Sequence, residues 1–509
     1  MWIVSKKLNT LFVCAFALFI HTASSKLIAQ TATINAGTVY QTIDGFGSQT
    51  WSYADSMTNG QAAKFFSQTP GTGIGLSIVR SANTWDGEIP DLSTLQTAVA
   101  QGAQVELSMQ SPPCGANLPA AYFPSPNNAP NVKASSIDNG ESCSNTSDWN
   151  NQGPAFSDGS PSSNGTCFTA SQSLDASFAV LATYDVNYIK MYAANGVPVT
   201  FFDVQNEPNL YGSPGSNNLG TCYWASGANF DNFVANYLGP ALAAAGLKVK
   251  VMVSSNYNWF GEDWASTCLS DSNCAQYAAI ASGHGYGFPY SPTAYTPGIT
   301  NGKHTWMAET SQQCSGSCTY DSTMTTALQM AENMQAFLQT AKVSAYNWWN
   351  LAYLQASSNY GIVACPYVTG NGGCSNSGTD LYVYGKLFYA YGNWTLFVRP
   401  GQVEIAATQN PQSGVTVTAF ENASTGAFEI VAVNSNNGSV SQSFSLNGLS
   451  ASSLTPYITD PNNNLAQQSP LPITNNAFTA TLTGSSVTTF VGAGGNSSAP
   501  TNLSGAIVQ

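Results

Sequence analysis

The sequence predicts an α/β protein, a (β/α)8 barrel carrying a C-terminal β-sandwich side domain. Three observations carry this. Eight short, β-rich apolar runs between residues 43 and 353 alternate with helical patterns or long Gly/Pro/Ser/Asn loops. From Pro400 onward the texture changes to alternating strands separated by Asn/Gly turns. The 509 residues are 43% apolar and 12% aromatic but 8% charged, enough apolar material to bury more than one core.

Residues 1–29 read as a secretory signal. Lys6 and Lys7 precede an apolar run from Leu11 to Ile20, and small residues follow around Ala23 to Ser25. That run is about half the length a bilayer-spanning helix needs, so the expectation is an exported, extracellular chain with no membrane partner. The formal net charge of −13 disfavours nucleic acid, whose phosphates require a Lys/Arg face. A neutral, hydroxyl-rich partner, a polysaccharide or oligosaccharide, suits the Asn/Ser/Thr/Gly-rich surface, and the chain is expected to act as a monomer.

Cys14 falls in the signal, leaving Cys114, Cys143, Cys167, Cys222, Cys268, Cys274, Cys314, Cys318, Cys365 and Cys374, an even set suited to disulfides in an oxidising compartment. Cys268 with Cys274, Cys314 with Cys318, and Cys365 with Cys374 lie close enough to staple single loops. A zinc site would need paired C-x-x-C or clustered histidines; His284 and His304 are the histidines outside the signal, so no metal or cofactor is expected.

The strand-like runs are Ile43 to Gly47, Gly75 to Ala82, Gln104 to Gln110, Val199 to Asn206, Lys248 to Asn256, Ala278 to Tyr286, His304 to Glu309 and Ser344 to Asn350. Helical spacing marks Leu92 to Gln101, Leu174 to Asn195, Phe230 to Ala245 and Ser322 to Ala341. The polar stretch from Cys114 to Ser173 leaves the third strand's C-terminal end, where such barrels build their active face. The boundaries follow: 30–40, a strand joining the side domain; 41–398, the barrel; 399–495, the side domain with strands at Gly414 to Phe420, Ala427 to Asn434, Ser439 to Leu446 and Phe478 to Val491; 496–509, a flexible tail. Glu404, Glu421 and Glu429 are scattered without a companion motif, which gives the side domain a structural role.

Two glutamates end apolar strands. Phe201-Phe202-Asp203-Val204-Gln205-Asn206-Glu207-Pro208 delivers Glu207 just before a Pro that stops the ladder, and Thr305-Trp306-Met307-Ala308-Glu309 delivers Glu309 three strands later. Both therefore face one opening. Cleaving an acetal between sugars takes a protonated carboxyl on the leaving oxygen and a second carboxylate; a separation of about 5 Å allows covalent attack with retention. Trp51, Trp85, Trp348 and Trp349 lie at strand ends, where flat rings stack on sugars. Arg80, one of two arginines, sits inside an apolar strand and needs a carboxylate partner, for which Glu309 is a candidate. His284 reads as a neutral hydrogen-bonding cleft residue.

The chain resembles glycoside hydrolase family 30 along nearly its whole mature length. The likeness rests on Gln41-Thr42-Ile43-Asp44-Gly45-Phe46-Gly47, Arg80, Ser111-Pro112-Pro113, Val204-Gln205-Asn206-Glu207-Pro208, His284-Gly285-Tyr286, Ala308-Glu309, Trp348-Trp349 and Phe397-Val398-Arg399-Pro400-Gly401. It implies a TIM barrel whose side domain takes in the first mature strand, near Ala32 to Tyr40. It also implies Glu207 as general acid and base, Glu309 as nucleophile, Asn206 on the sugar hydroxyl beside the reacting carbon, and Tyr286 orienting Glu309. Its xylan-cleaving branch is nearest, which predicts a retaining endo-β-1,4-xylanase. β-1,6-Glucanase, β-xylosidase and glucosylceramidase-like activities are the alternatives, with an inactive carbohydrate-binding protein as the one from another class. Two departures matter: Gln110 and Cys114 flank Ser-Pro-Pro where the family often has aromatics, and Asn350-Leu351-Ala352-Tyr353-Leu354 lacks the arginine that glucuronoxylan-specific members place there. No dependence on glucuronic acid is therefore expected.

Overall fold

The computed structural model describes residues 30–50, 57–83, 89–109, 174–208, 227–261, 263–286, 292–312, 319–354, 359–365 and 382–494. Trp51, Trp85, Gln110, the whole polar stretch from Cys114 to Ser173, Cys222, Cys314, Cys318, Cys374, the signal and the tail lie outside them.

After β1 (Ala32–Thr42) come the barrel strands β2 (Gly45–Gln49), β3 (Ile78–Ala82), β4 (Gln104–Ser108), β5 (Val199–Asp203), β6 (Lys250–Asn258), β7 (Ala278–Tyr286), β8 (His304–Thr310) and β9 (Ala345–Leu354). All neighbours are parallel, and β9 pairs with both β2 and β8, which closes the barrel. The apolar runs of the sequence are these strands, because a parallel sheet buried on both faces needs continuous apolar character. A further strand, β10 (Gly361–Cys365), extends β9 in parallel.

Helices α1 (Asn59–Phe66), α2 (Leu92–Ala100) and α3 (Leu174–Ala194) cover the first strands. Helix α4 (Gly227–Phe233) runs through one wide π turn, Val234–Leu238, into α5 (Gly239–Ala244), where the sequence reads a single helix. Then follow α6 (Trp264–Ser270), α7 (Ser272–Ala275), α8 (Thr296–Thr300) and α9 (Met324–Ala336), the last ending in a second π turn at Phe337–Ala341. Helix α10 (Lys386–Thr395) leads to the side domain. Cys268 and Cys274 form a disulfide bridging α6 and α7, and Cys365 is also disulfide-bonded.

The side domain is one ten-stranded sheet: β11 (Val403–Ala407), β12 (Val415–Glu421), β13 (Phe428–Asn434), β14 (Val440–Asn447), β15 (Ser453–Thr459), β16 (Ala466–Gln467), β17 (Leu471–Pro472), β18 (Ala477–Leu482) and β19 (Ser486–Gly492), with β1 inserted between β11 and β14. The expected β-rich side domain is present, built as one continuous sheet curled over its own core into a half-barrel. Phe444, Phe478 and Phe490 touch across it although β18 and β19 lie far apart in the strand order, since the curl wraps their rings around one core. The single run read from Phe478 to Val491 is two strands, broken where Ser485 adopts a φ of 49°.

The sheet's other face adds Phe420, Val431, Val433 and Val487 to the barrel's hydrophobic core. Polar links accompany that packing. Gln41 Nε2 donates to Leu338 O and to Glu404 Oε2 (3.0 and 2.6 Å), and Lys342 Nζ reaches Glu404 Oε1 at 3.3 Å. Asn393, a sequon by sequence, is fully buried and donates to Tyr457 O and Thr489 Oγ1, so the folded chain offers no acceptor there.

The barrel interior is layered. Its apolar plug is Ile78, Phe201, Met252, Ile280, Trp306, Ala308 and Ala345, with Phe201 and Trp306 ring centroids 4.4 Å apart. Asp44 seals the base by accepting from Trp306 Nε1 at 2.7 Å and meeting His304 Nδ1 at 2.6 Å. A wholly polar layer lies among the strands' remaining inward positions, and it forms the site.

Candidate active site

Glu207 leaves β5 in a backbone conformation that its type rarely adopts. Its φ is 44°, and a residue before Pro is ordinarily extended, so this geometry costs on the order of 1–3 kcal/mol. Neighbouring strand ends hold it there: Asn206 N donates to Met109 O beyond β4 (2.7 Å), and Glu207 N donates to Ser255 O on β6 (3.0 Å). Ser254 and Ser255 also have positive φ, 92° and 46°, where β6 bulges against β7. The bulge sends Ser255 O toward the Glu207 amide.

Glu309 ends β8 and is 6% exposed; Glu207 is 2% exposed. One carboxyl oxygen of each, together with His284 Nδ1, lie within 4.8 Å of one another. His284, fully buried at the end of β7, stands 2.9 Å from Glu207 Oε1 and 3.9 Å from Glu309 Oε1. Tyr286 OH donates to Glu309 Oε1 at 2.9 Å, and Tyr257 of β6 stacks on the Tyr286 ring at 5.1 Å. Tyr257 lies just past the strand-like run that ends at Asn256, so from sequence it reads as loop, whereas the bulged β6 carries it on to the site.

Arg80 lies at the centre, 1% exposed. Its Nη1 donates to Glu309 Oε2 and to Gln49 Oε1 (2.8 Å for the latter), and its Nη2 donates to Ser108 Oγ (2.9 Å) and Asn206 Oδ1 (2.7 Å). Glu106 Oε1 is 3.1 Å from Nε, and Asp203 Oδ2 is 3.6 Å from Nη2. Burial opposes the guanidinium's charge, but Glu309, Glu106 and Asp203 outweigh it and hold Arg80 protonated above its usual range.

The carboxyls differ. Burial pushes Glu207 up to about 8, against the pull of Arg80 and with help from Asp203, so it carries a proton at neutral pH. Burial likewise pushes Glu106 up to about 8 and lowers His284 to about 4, which leaves the imidazole neutral. Glu309 holds the closest contact with the buried cation and accepts from a tyrosine whose own ionisation burial suppresses. A protonated acid thus faces a second carboxyl group held by the buried cation.

The other expected residues divide. Asn206 shares its Oδ1 with Arg80, leaving its amide nitrogen as the donor. Trp349 is half-buried and meets Tyr353 and Tyr360 at 5.2 and 5.0 Å. Trp348 is 4% exposed and packs into the hydrophobic layer between strand and helices rather than into the opening, because it has the strand parity opposite to Asn347, which points inward.

The chain is similar to known proteins to graded extents. The glycosyl hydrolase family 30 TIM-barrel domain matches residues 142–356. Glucuronoxylanase XynC of Bacillus subtilis (strain 168) is 25% identical over 503 residues, spanning 96% of this chain and 98% of that protein. The solved structure of the family 30 subfamily 8 xylanase Xyn30A from Clostridium acetobutylicum superposes with a TM-score of 0.66 at 23% identity, over 91% of this chain and 99% of that one. The endo-β1,6-glucanase BT3312 gives 0.60 at 18% identity, over 91% and 94%.

Proposed function

We propose, for a chain that belongs to glycosyl hydrolase family 30 and is a xylanase-like glycosyl hydrolase, that it is a secreted endo-β-1,4-xylanase working by retention with no requirement for glucuronic acid branches. The observation that carries the retaining mechanism is the pair of oxygens from Glu207 and Glu309 within 4.8 Å. Retaining enzymes hold their carboxyl groups about 5–5.5 Å apart, whereas inverting ones leave about 6.5–9.5 Å for a water.

Glu309 attacks the anomeric carbon, held by Arg80 and by Tyr286 OH. Glu207 gives its proton to the leaving oxygen, and the glycosyl-Glu309 ester forms as the glycosidic bond breaks. A water then enters, Glu207 takes its proton, and the hydroxyl displaces Glu309. His284, neutral and 2.9 Å from Glu207, fixes the acid's direction. Asn206 donates to the neighbouring sugar hydroxyl.

Freedom from glucuronic acid rests on the arginines. The chain has two: Arg80 is enclosed in the barrel, and Arg399 donates to the Gly75 and Thr395 carbonyl oxygens. Neither is left for a branch carboxylate.

The test is product analysis on arabinoxylan, glucuronoxylan, debranched xylan and β-1,6-glucan, with Glu309→Gln as control. Long xylo-oligosaccharides at early times are expected. Release of single sugars from chain ends, cleavage of the glucan alone, or full turnover by the Gln variant would each overturn the reading.

A further inference from the structure

Beneath the two reacting carboxyls the barrel buries a third glutamate that the reaction leaves unused. Glu106, in the middle of β4, is wholly inaccessible. A buried carboxyl costs more than an apolar side chain unless its hydrogen bonds are met, so its contacts define its role. Its contacts form a line across the barrel. Asn347 Nδ2 of β9 donates to Glu106 Oε2 at 2.8 Å. Glu106 Oε1 lies 3.1 Å from Arg80 Nε and accepts no aligned hydrogen bond among the described residues. Arg80 Nη1, at the fork's other end, holds Glu309 Oε2.

A guanidinium is a rigid plane, so a group that fixes Nε fixes the direction of both Nη atoms. The geometry points to Glu106 as a positioning residue, one that aims Arg80 from below so that the fork meets Glu309 from the side opposite Tyr286. This rests on the reading of Glu309 as nucleophile. Asp203 and Ser108 cannot replace it: they meet Nη2, and Ser108 Oγ is itself tied to Asp203 Oδ2 at 2.7 Å. Gln49 Oε1 still meets Nη1 at 2.8 Å and Asn206 Oδ1 still meets Nη2 at 2.7 Å, so without Glu106 the plane loses its anchor at Nε and tilts about the two Nη atoms, which shifts Nη1 against Glu309.

The ionisation of Glu106 modulates the same contact. Burial favours its neutral form, which keeps the Arg80 charge for Glu309. Once ionised at alkaline pH, Glu106 competes for that charge.

The test combines Glu106→Ala and Glu106→Gln with 2,4-dinitrophenyl 2-deoxy-2-fluoro-β-xylobioside, which traps the glycosyl-enzyme. Folding is checked by circular dichroism and thermal unfolding. In Glu106→Ala, kcat and the trapping rate are expected to fall together by about 100-fold, the loss typical of an ångström-scale misplacement, with little change in KM. Glu106→Gln keeps the shape and neutral charge, so it should recover most of the rate at pH 6 and show a shallower alkaline limb than the wild type.

Trapping at Glu309 at the wild-type rate in a folded Glu106→Ala variant would overturn the proposal alone. Should that variant not fold, Glu106→Gln decides: a wild-type alkaline limb, or a rate at pH 6 reduced by about 100-fold despite native stability, overturns it. Wild-type trapping on a residue other than Glu309 would overturn the functional reading and this proposal together.

Discussion

His284 Nδ1 and Glu207 Oε1 stand 2.9 Å apart in a pocket where burial drives the two groups in opposite directions, the carboxyl up to about 8 and the imidazole down to about 4. Between those values the proton belongs to Glu207 and the imidazole is neutral.

The pH dependence of turnover follows. Glu207 acts as acid while protonated, so kcat/KM should hold through neutrality and fall as pH rises through about 8. Glu207→Gln should cost about 10²–10⁴-fold and leave only the shallower limb that Glu106 contributes. Rate profiles on an aryl xylobioside check this, and a limb surviving unchanged in the variant refutes the assignment.

Stability should also decline with pH, for a reason remote from the site. Burial raises Glu404 to about 7, against Lys342 and Gln41, and raises Glu429 to about 8, against Gln402. The folded chain therefore holds more protons than the unfolded one above the ordinary glutamate value, and stability falls there with rising pH. The contribution is complete below about pH 4.5, the ordinary glutamate value, and is lost as pH passes through about 7 and then about 8. Tm should drop between pH 5 and pH 8.5, and Glu429→Gln should flatten part of that drop. Differential scanning fluorimetry across pH decides it.

The Cys268 and Cys274 bridge closes a loop of sequence separation 6, which on chain entropy alone corresponds to about 2 kcal/mol. A Cys268→Ser/Cys274→Ser variant should lose a few degrees of Tm with kcat unchanged, since α6 and α7 contribute no side chain to the acid pair. A large kcat loss would contradict this.

Glucuronoxylan and the same polymer stripped of its glucuronic acid should be cleaved at similar rates. Initial-rate measurements on the two substrates suffice, and a collapse on the stripped polymer would mean that a cation other than Arg80 and Arg399 reads the branch.

The sequence carries much of this because the decisive signals are local. Apolar runs that end in a carboxylate, Val199 to Glu207 and His304 to Glu309, give both the strand and the direction of its last side chain. Glu106 is invisible to such reading: in Gln-Val-Glu-Leu-Ser it has the look of any polar strand position, and its meaning comes from Arg80 on the next strand and Asn347 across the barrel. Trp348 and Trp349 show the same limit, since one bulge between β2 and β9 decides which ring faces the opening. Strand β10, five residues between polar stretches of sequence, offers too short a period to stand out, and the curl of the side sheet depends on rings brought together only by the fold.

Strand β1 has a consequence for how the chain comes to exist. It is made within the first 42 residues, yet its partners β11 and β14 come from the last quarter of the sequence. At ordinary synthesis rates of about 5–20 residues per second, it waits tens of seconds for them. Throughout that wait its two edges are open to other chains. The side domain can therefore close only after the barrel sequence is complete, so a nascent chain arrested before Val403 would present an unmatched strand to whatever chaperone or neighbour it meets.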